Sequence, residues 1–132
     1  MTASERAELS RNFLAEEGYA ARIDDDGDVV FKCEGMTFFI SADEDDEEFF
    51  RLVCPNFWPI DSEEARDHVV HAAAAVNRLV KVAKVYPVRD STWASVEMYC
   101  SPPDAVLPVL LRAMGTLRGM VTEFRRAMHE ES

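Results

Sequence analysis

The chain has 132 residues, 48% of them hydrophobic, and a formal net charge of −11. That length is one domain, residues 1–132, able to bury well over half of its unfolded surface in a single core without disulfides or metal, and the apolar content with eight Phe excludes disorder. Residues 1–66 hold 18 acidic and 6 basic side chains while residues 67–132 hold 7 and 8; an acidic field of that kind, felt over a Debye length of ~8 Å, repels nucleic acid and anionic lipid, so neither nucleic acid nor a membrane is an expected partner.

A first helix is predicted over residues 3–17, capped by Thr2 or Ser4 and stopped at Gly18. Ala7, Leu9, Phe13 and Leu14 give it a narrow apolar stripe, which fits a helix lying across a sheet edge. Residues 19–23 lead in extended form to the stretch around which the chain is organised. There Asp24, Asp25, Asp26 and Gly27 form a turn, Val29, Val30 and Phe31 supply β-branched and aromatic residues, and Glu34 and Gly35 turn the chain again. Met36, Phe38 and Ile40 follow at a period of two, so strands over residues 28–33 and 36–41 make a hairpin.

Six consecutive acids, residues 43–48, come next, and mutual repulsion makes them a solvated loop tip. A third strand occupies residues 49–54, and a connector bearing Phe57 and Trp58 leads to the second helix. That helix opens at Asp61, with Glu64 placed to complete a capping box, and carries Ala65, Val69, Ala72, Ala73, Val76, Leu79 and Val80 at helical spacing. Asn77, at the edge of this face, is predicted to be a structural amide bonded to nearby backbone. Residues 84–88 and 93–100 read as a second hairpin around residues 89–91, with Pro87 confined to an edge or bulge.

The last helix spans residues 102–128, its start left open by Pro108. Leu110, Met114, Leu117, Val121, Phe124 and Met128 form its core stripe. Gly115 and Gly119 lie on the other side with Arg112, Thr116, Glu123 and Arg126. Each glycine costs roughly 1 kcal/mol relative to alanine in a helix, so the pair reads equally as a site of close approach by another chain element or as tolerated drift.

The expected fold is α+β, an antiparallel five-stranded sheet with three helices in the order α-β-β-β-α-β-β-α. Alternation sends Met36, Phe38, Ile40, Phe50, Leu52, Val96 and Met98 to one face and Phe39, Phe49, Trp93 and Tyr99 to the other. One face cannot absorb both sets. Either a helix covers each face, or an aromatic patch is left for a second subunit or a partner.

Motifs that carry chemistry are sparse. The acidic cluster at residues 24–28 fails as an EF-hand loop, because Gly27 in the sixth position would put Arg22 first and Cys33 twelfth. His68 and His71, with Glu64 and Asp67 four residues before them, lack a third strong ligand and read as helix-surface residues. No metal or cofactor is expected. Cys33, Cys54 and Cys100 read as buried reduced thiols. With no G-x-S-x-G elbow and no glycine-rich phosphate loop, the protein is read as non-enzymatic. The N-terminus has no basic region followed by an apolar block, and no apolar run approaches the roughly 18 residues of a membrane span, so the cytoplasm is the expected location.

Gly18-Tyr19, Asp26-Gly27-Asp28-Val29 with Phe31-Lys32, Glu34-Gly35 before Phe38, Phe49-Phe50, and Asn77-Arg78 followed by Lys84-Val85 carry a family resemblance. In these residues the chain resembles the bacterial YbjN family, described as sensory transduction regulators and similar in fold to type III secretion chaperones. The likeness covers nearly the whole chain; residues 43–48 and Pro108 depart from it. It implies a small non-enzymatic protein, a homodimer that binds another polypeptide as a chaperone or acts in regulation. The chaperone relatives dimerise and hold extended client segments against apolar patches, which makes Phe39, Phe49, Trp93, Tyr99, Gly115 and Gly119 the candidate partner-binding residues. The alternative is a small-molecule-binding sensor domain in signal transduction, using an apolar pocket between the last helix and the sheet.

Overall fold

The computed structural model describes residues 1–130. In chain order the elements are α1 (Ala3–Glu16), β1 (Arg22–Ile23), β2 (Val29–Cys33), β3 (Met36–Ser41), β4 (Phe49–Cys54), α2 (Glu63–Asn77), β5 (Ala83–Val88) and β6 (Ser91–Tyr99). A 3-10 turn at Pro103–Val106 then leads into α3 (Leu107–Glu130).

The sheet is antiparallel, in the order β1-β2-β3-β4-β6-β5. It has six strands where five were expected. The additional strand, β1, pairs Arg22 with Val30 and Ile23 with Val29, and two residues are too few to display a period of two. The turn after it forms because Asp24 Oδ1 accepts from the amides of Asp26 and Asp28, each at 3.0 Å. At the next turn Glu34 and Gly35 both take positive φ, +53° and +79°. That is the backbone a two-residue hairpin loop requires, and it fixes the register of Cys33 against Met36.

α1 is closed at its start by a capping box between Thr2 and Glu5 and at its end by Gly18, at φ +95°, after which the Tyr19 amide donates to Leu14 O at 2.8 Å. α2 is capped by Ser62, whose hydroxyl accepts from Ala65 N at 3.0 Å, one residue later than the expected Asp61. It also ends earlier than its apolar spacing suggests. Leu79 follows the last helical residue and is 73% exposed, so the expected core position is a surface one. Pro108 sits in the first turn of α3, where its missing amide costs no hydrogen bond.

One core takes Leu14 from α1, Val69 and Val76 from α2, and the whole predicted stripe of α3 onto the sheet face that carries Val29, Phe31, Phe38, Ile40, Leu52 and Val96. Phe57 and Trp58 of the connector pack edge-on against Phe124, with ring centroids 5.5 and 5.9 Å away. By length and composition the stretch Pro103–Glu130 could cross a membrane; here Leu110, Leu117 and Phe124 are fully buried under the sheet. All three helices therefore lie on the same side, and among the described residues no helix covers the opposite face.

Candidate functional site

Strand pairing builds the uncovered face from the sequence upward. Phe39 faces Val53, Phe49 faces Tyr99, Arg51 faces Glu97, and Tyr86 faces Trp93. The four aromatics predicted for this face meet in two pairs: Phe39 and Trp93 with centroids 5.8 Å apart, Phe49 and Tyr99 6.3 Å apart, both edge-to-face. Trp93 and Tyr99 are six residues apart on one strand, so the pairs stand roughly 20 Å from each other. Tyr99 is 79% exposed.

Between the pairs runs a polar bridge. Glu97 accepts from Arg51 at 3.3 Å and pairs with Lys84 at 3.1 Å, Arg51 donates to the Tyr86 hydroxyl at 3.1 Å, and Tyr86 donates to Ser95 at 3.2 Å. Burial alone would raise Glu97, but the hydrogen bond and charge of Lys84, with Ser95 and Arg51, hold its carboxyl below the usual value. Glu97 thus has both of its cationic partners within the sheet itself. The Tyr99 end meets the acidic loop, since Cys100 N donates to Glu48 O at 2.7 Å. That loop is folded on itself through Asp43, which accepts from the amides of Asp45 and Asp46, and the chain's amino terminus pairs with Glu47 at 2.8 Å.

Gly115 and Gly119 are not part of this face. They line a separate groove of about 680 Å3 between α3 and the residues that follow α2, together with Leu79, Val82, Met98 and Arg112. A methyl group at Gly119 would meet nothing within 4 Å, and one at Gly115 only the Arg118 guanidinium at 3.7 Å. Among the described residues no element makes the close approach that the glycines invite.

Sequence reasoning missed the Arg51, Glu97, Lys84 and Tyr86 bridge and the groove rim of Leu79 and Val82. Alternation does place Arg51 and Glu97 outward, but their meeting depends on β4 pairing with β6 across the whole of α2. Asp24, Asp26 and Asp28 come together, with carboxylate oxygens within 4.8 Å of one another; Asp24 Oδ1 and Asp28 Oδ1 already accept backbone amides, the latter from Ala42 at 3.3 Å. The three cysteines are buried and unpaired, and burial pushes Cys54 up to about 11, away from thiolate chemistry. Between α1, the start of β4 and the 3-10 turn lies a pocket of about 30 Å3, the room of a single water.

A family model described as TY-Chap1, T3SS (YopN, CesT) and YbjN peptide-binding chaperone 1, matches residues 6–129. No curated relative matches the chain. Among solved structures, an uncharacterized protein from Methanothermobacter thermautotrophicus superposes with a TM-score of 0.67 at 12% identity, over 96% of this chain and 98% of that one. At that identity the likeness is one of fold.

Proposed function

The chain belongs to the T3SS and YbjN peptide-binding chaperone 1 family, and from that premise we propose that it holds an extended, basic and apolar segment of a client polypeptide against the open face of its sheet. The family is of a peptide-binding kind and not an enzyme class. The observation that supports this surface is the segregation of all three helices to one side, which among the described residues leaves two aromatic pairs about 20 Å apart with no helix over them. A strand-like segment of six or seven residues spans that distance, and alternate side chains would reach the two pairs. The acidic loop at the Tyr99 end and the net charge of −11 favour a client rich in Lys and Arg, steered electrostatically.

The same reading includes self-association as a homodimer and action in the cytoplasm, with a role in regulation as the outcome of client binding. The experiment is a peptide array probed with the pure protein, followed by anisotropy titration of the strongest peptides in low and high salt. Basic peptides with alternating apolar residues are expected to bind, more weakly in high salt. Tyr99→Ser and Phe39→Ser are each expected to weaken binding about tenfold, the effect of losing one buried aromatic anchor. Undiminished binding by the double variant would overturn the assignment of the surface. The rival sensor reading predicts instead a small molecule that raises the melting temperature while peptides do not bind.

A further inference from the structure

On α3, Arg112, Gly115, Thr116, Gly119 and Glu123 follow one another at intervals of three, one, three and four residues, so they share one face. This face is the floor of the groove. It is small in the middle, with Arg112 at one end and Glu123, held by Arg126, at the other, so that Arg112 and Glu123 face each other when a second copy is turned end for end. Laid antiparallel with Arg112 opposite Glu123 of a second copy, it sets Thr116 opposite Gly119, and the opposite end repeats both contacts.

We propose that the groove is the seat of α3 from a second copy of this chain, in a twofold, isologous dimer. The proposal rests on the self-association put forward above and gives it a location. Helix axes approach according to the side chains at their crossing, and with Gly115, Thr116 and Gly119 on both sides nothing holds them apart. Arg112 has no carboxylate partner among the described residues, and Glu123 pairs only with Arg126 of its own helix, at 3.2 Å on the surface. The two ends therefore remain available to set register and direction. Apart from Lys81 the walls are apolar: Leu79 is 73% exposed, Val82 66% and Val109 39%, an arrangement that a second copy of the same helix would cover.

The test is molar mass by light scattering and sedimentation over a range of concentrations. Gly119→Leu is expected to weaken the dimer at least tenfold while the protein keeps or gains thermal stability, because leucine is the better helix former and the site has room for it. Arg112→Glu and Glu123→Arg are each expected to weaken it several-fold, and the double reversal to restore it to within about threefold, since the opposed charges are then exchanged. A wild-type dimer indifferent to Gly119→Leu and to the charge reversals would overturn the location while leaving self-association intact. A monomer at every concentration would overturn both, and peptide capture on the sheet face would still be tested separately.

Discussion

The side-chain amide of Asn77 takes both backbone groups of Val85: its carbonyl accepts the Val85 N–H at 2.7 Å and its NH2 donates to the Val85 C=O at 3.0 Å. β5 is an edge strand, and these are the groups it would present to an incoming chain. Two residues on, Pro87 has no N–H to present. Removing the amide by Asn77→Ala leaves a buried residue's donor and acceptor unmatched, so a loss of about 1–3 kcal/mol is expected in urea unfolding. Asn77→Asp keeps the acceptor but turns a carboxylate toward the Val85 carbonyl, and should cost a similar amount.

Phe124 is fully buried and receives the edges of Phe57 and Trp58. Phe124→Ala is expected to cost about 3–5 kcal/mol, because the connector rings would overhang a cavity as well as lose contact area. Phe124→Leu should cost distinctly less. Near-ultraviolet circular dichroism of Trp58 reports whether the connector has come loose, and chemical unfolding gives the energy.

Two carboxylates should act on stability with opposite sign. Burial, with the charges of Asp24 and Asp26, holds Asp28 above its usual value in spite of the hydrogen bond from Ala42. A raised carboxyl contributes stability below its ordinary value of about 3.9 and loses it as pH rises through the folded value. Asp28→Asn should therefore raise the melting temperature at neutral pH, with the gain vanishing toward pH ~3. Glu97 is held low, so its contribution is present above about 4.3 and is lost as pH falls through the folded value. Glu97→Gln should lower the melting temperature at neutral pH, leaving Arg51 and Lys84 without their anion, and make no difference in acid. Melting curves of both variants from pH 3 to 8 check the signs.

Tyr99→Ser offers a control on the proposed client surface. With four-fifths of the residue already in water, its removal should change unfolding free energy by less than about 0.5 kcal/mol. Trp93→Ser should cost more, since Trp93 packs on Phe39 and donates from Nε1 to Asn56 at 3.0 Å. A large effect of Tyr99→Ser in urea unfolding would mean that the ring is structural.

The sequence made the middle of the sheet legible because apolar residues recur at a period of two along β3 and the first half of β4, and the bounds of both strands match the prediction, although Leu52, Val53 and Cys54 at the end of β4 are all buried. β1 was not legible, since Arg22 and Ile23 are a strand only through their pairing with Val30 and Val29. Leu79 was assigned to the core on a spacing that continues past the last turn of α2; the helix stops first, so periodicity alone could not tell floor from rim. Of the candidate site, Phe39, Phe49, Trp93 and Tyr99 were found by alternation. Their pairing was not, because it depends on which strands are neighbours. The two glycines were seen as an anomaly of propensity, and only the space beside them gives that anomaly a direction.

The pairing of β4 with β6 joins residues whose separation in the chain is 46 for Arg51 and Glu97, whereas the β2–β3 and β5–β6 pairings are local hairpins. Closing that seam carries most of the loop entropy of folding and should limit the rate. Leu52→Ala, on the seam, is expected to slow refolding, while Val29→Ala, in the first hairpin, should chiefly hasten unfolding. Stopped-flow chevrons of the two separate these effects. The open face lies across the same seam, so a chain arrested before closure would carry half of the aromatic surface on each of two unpaired ribbons.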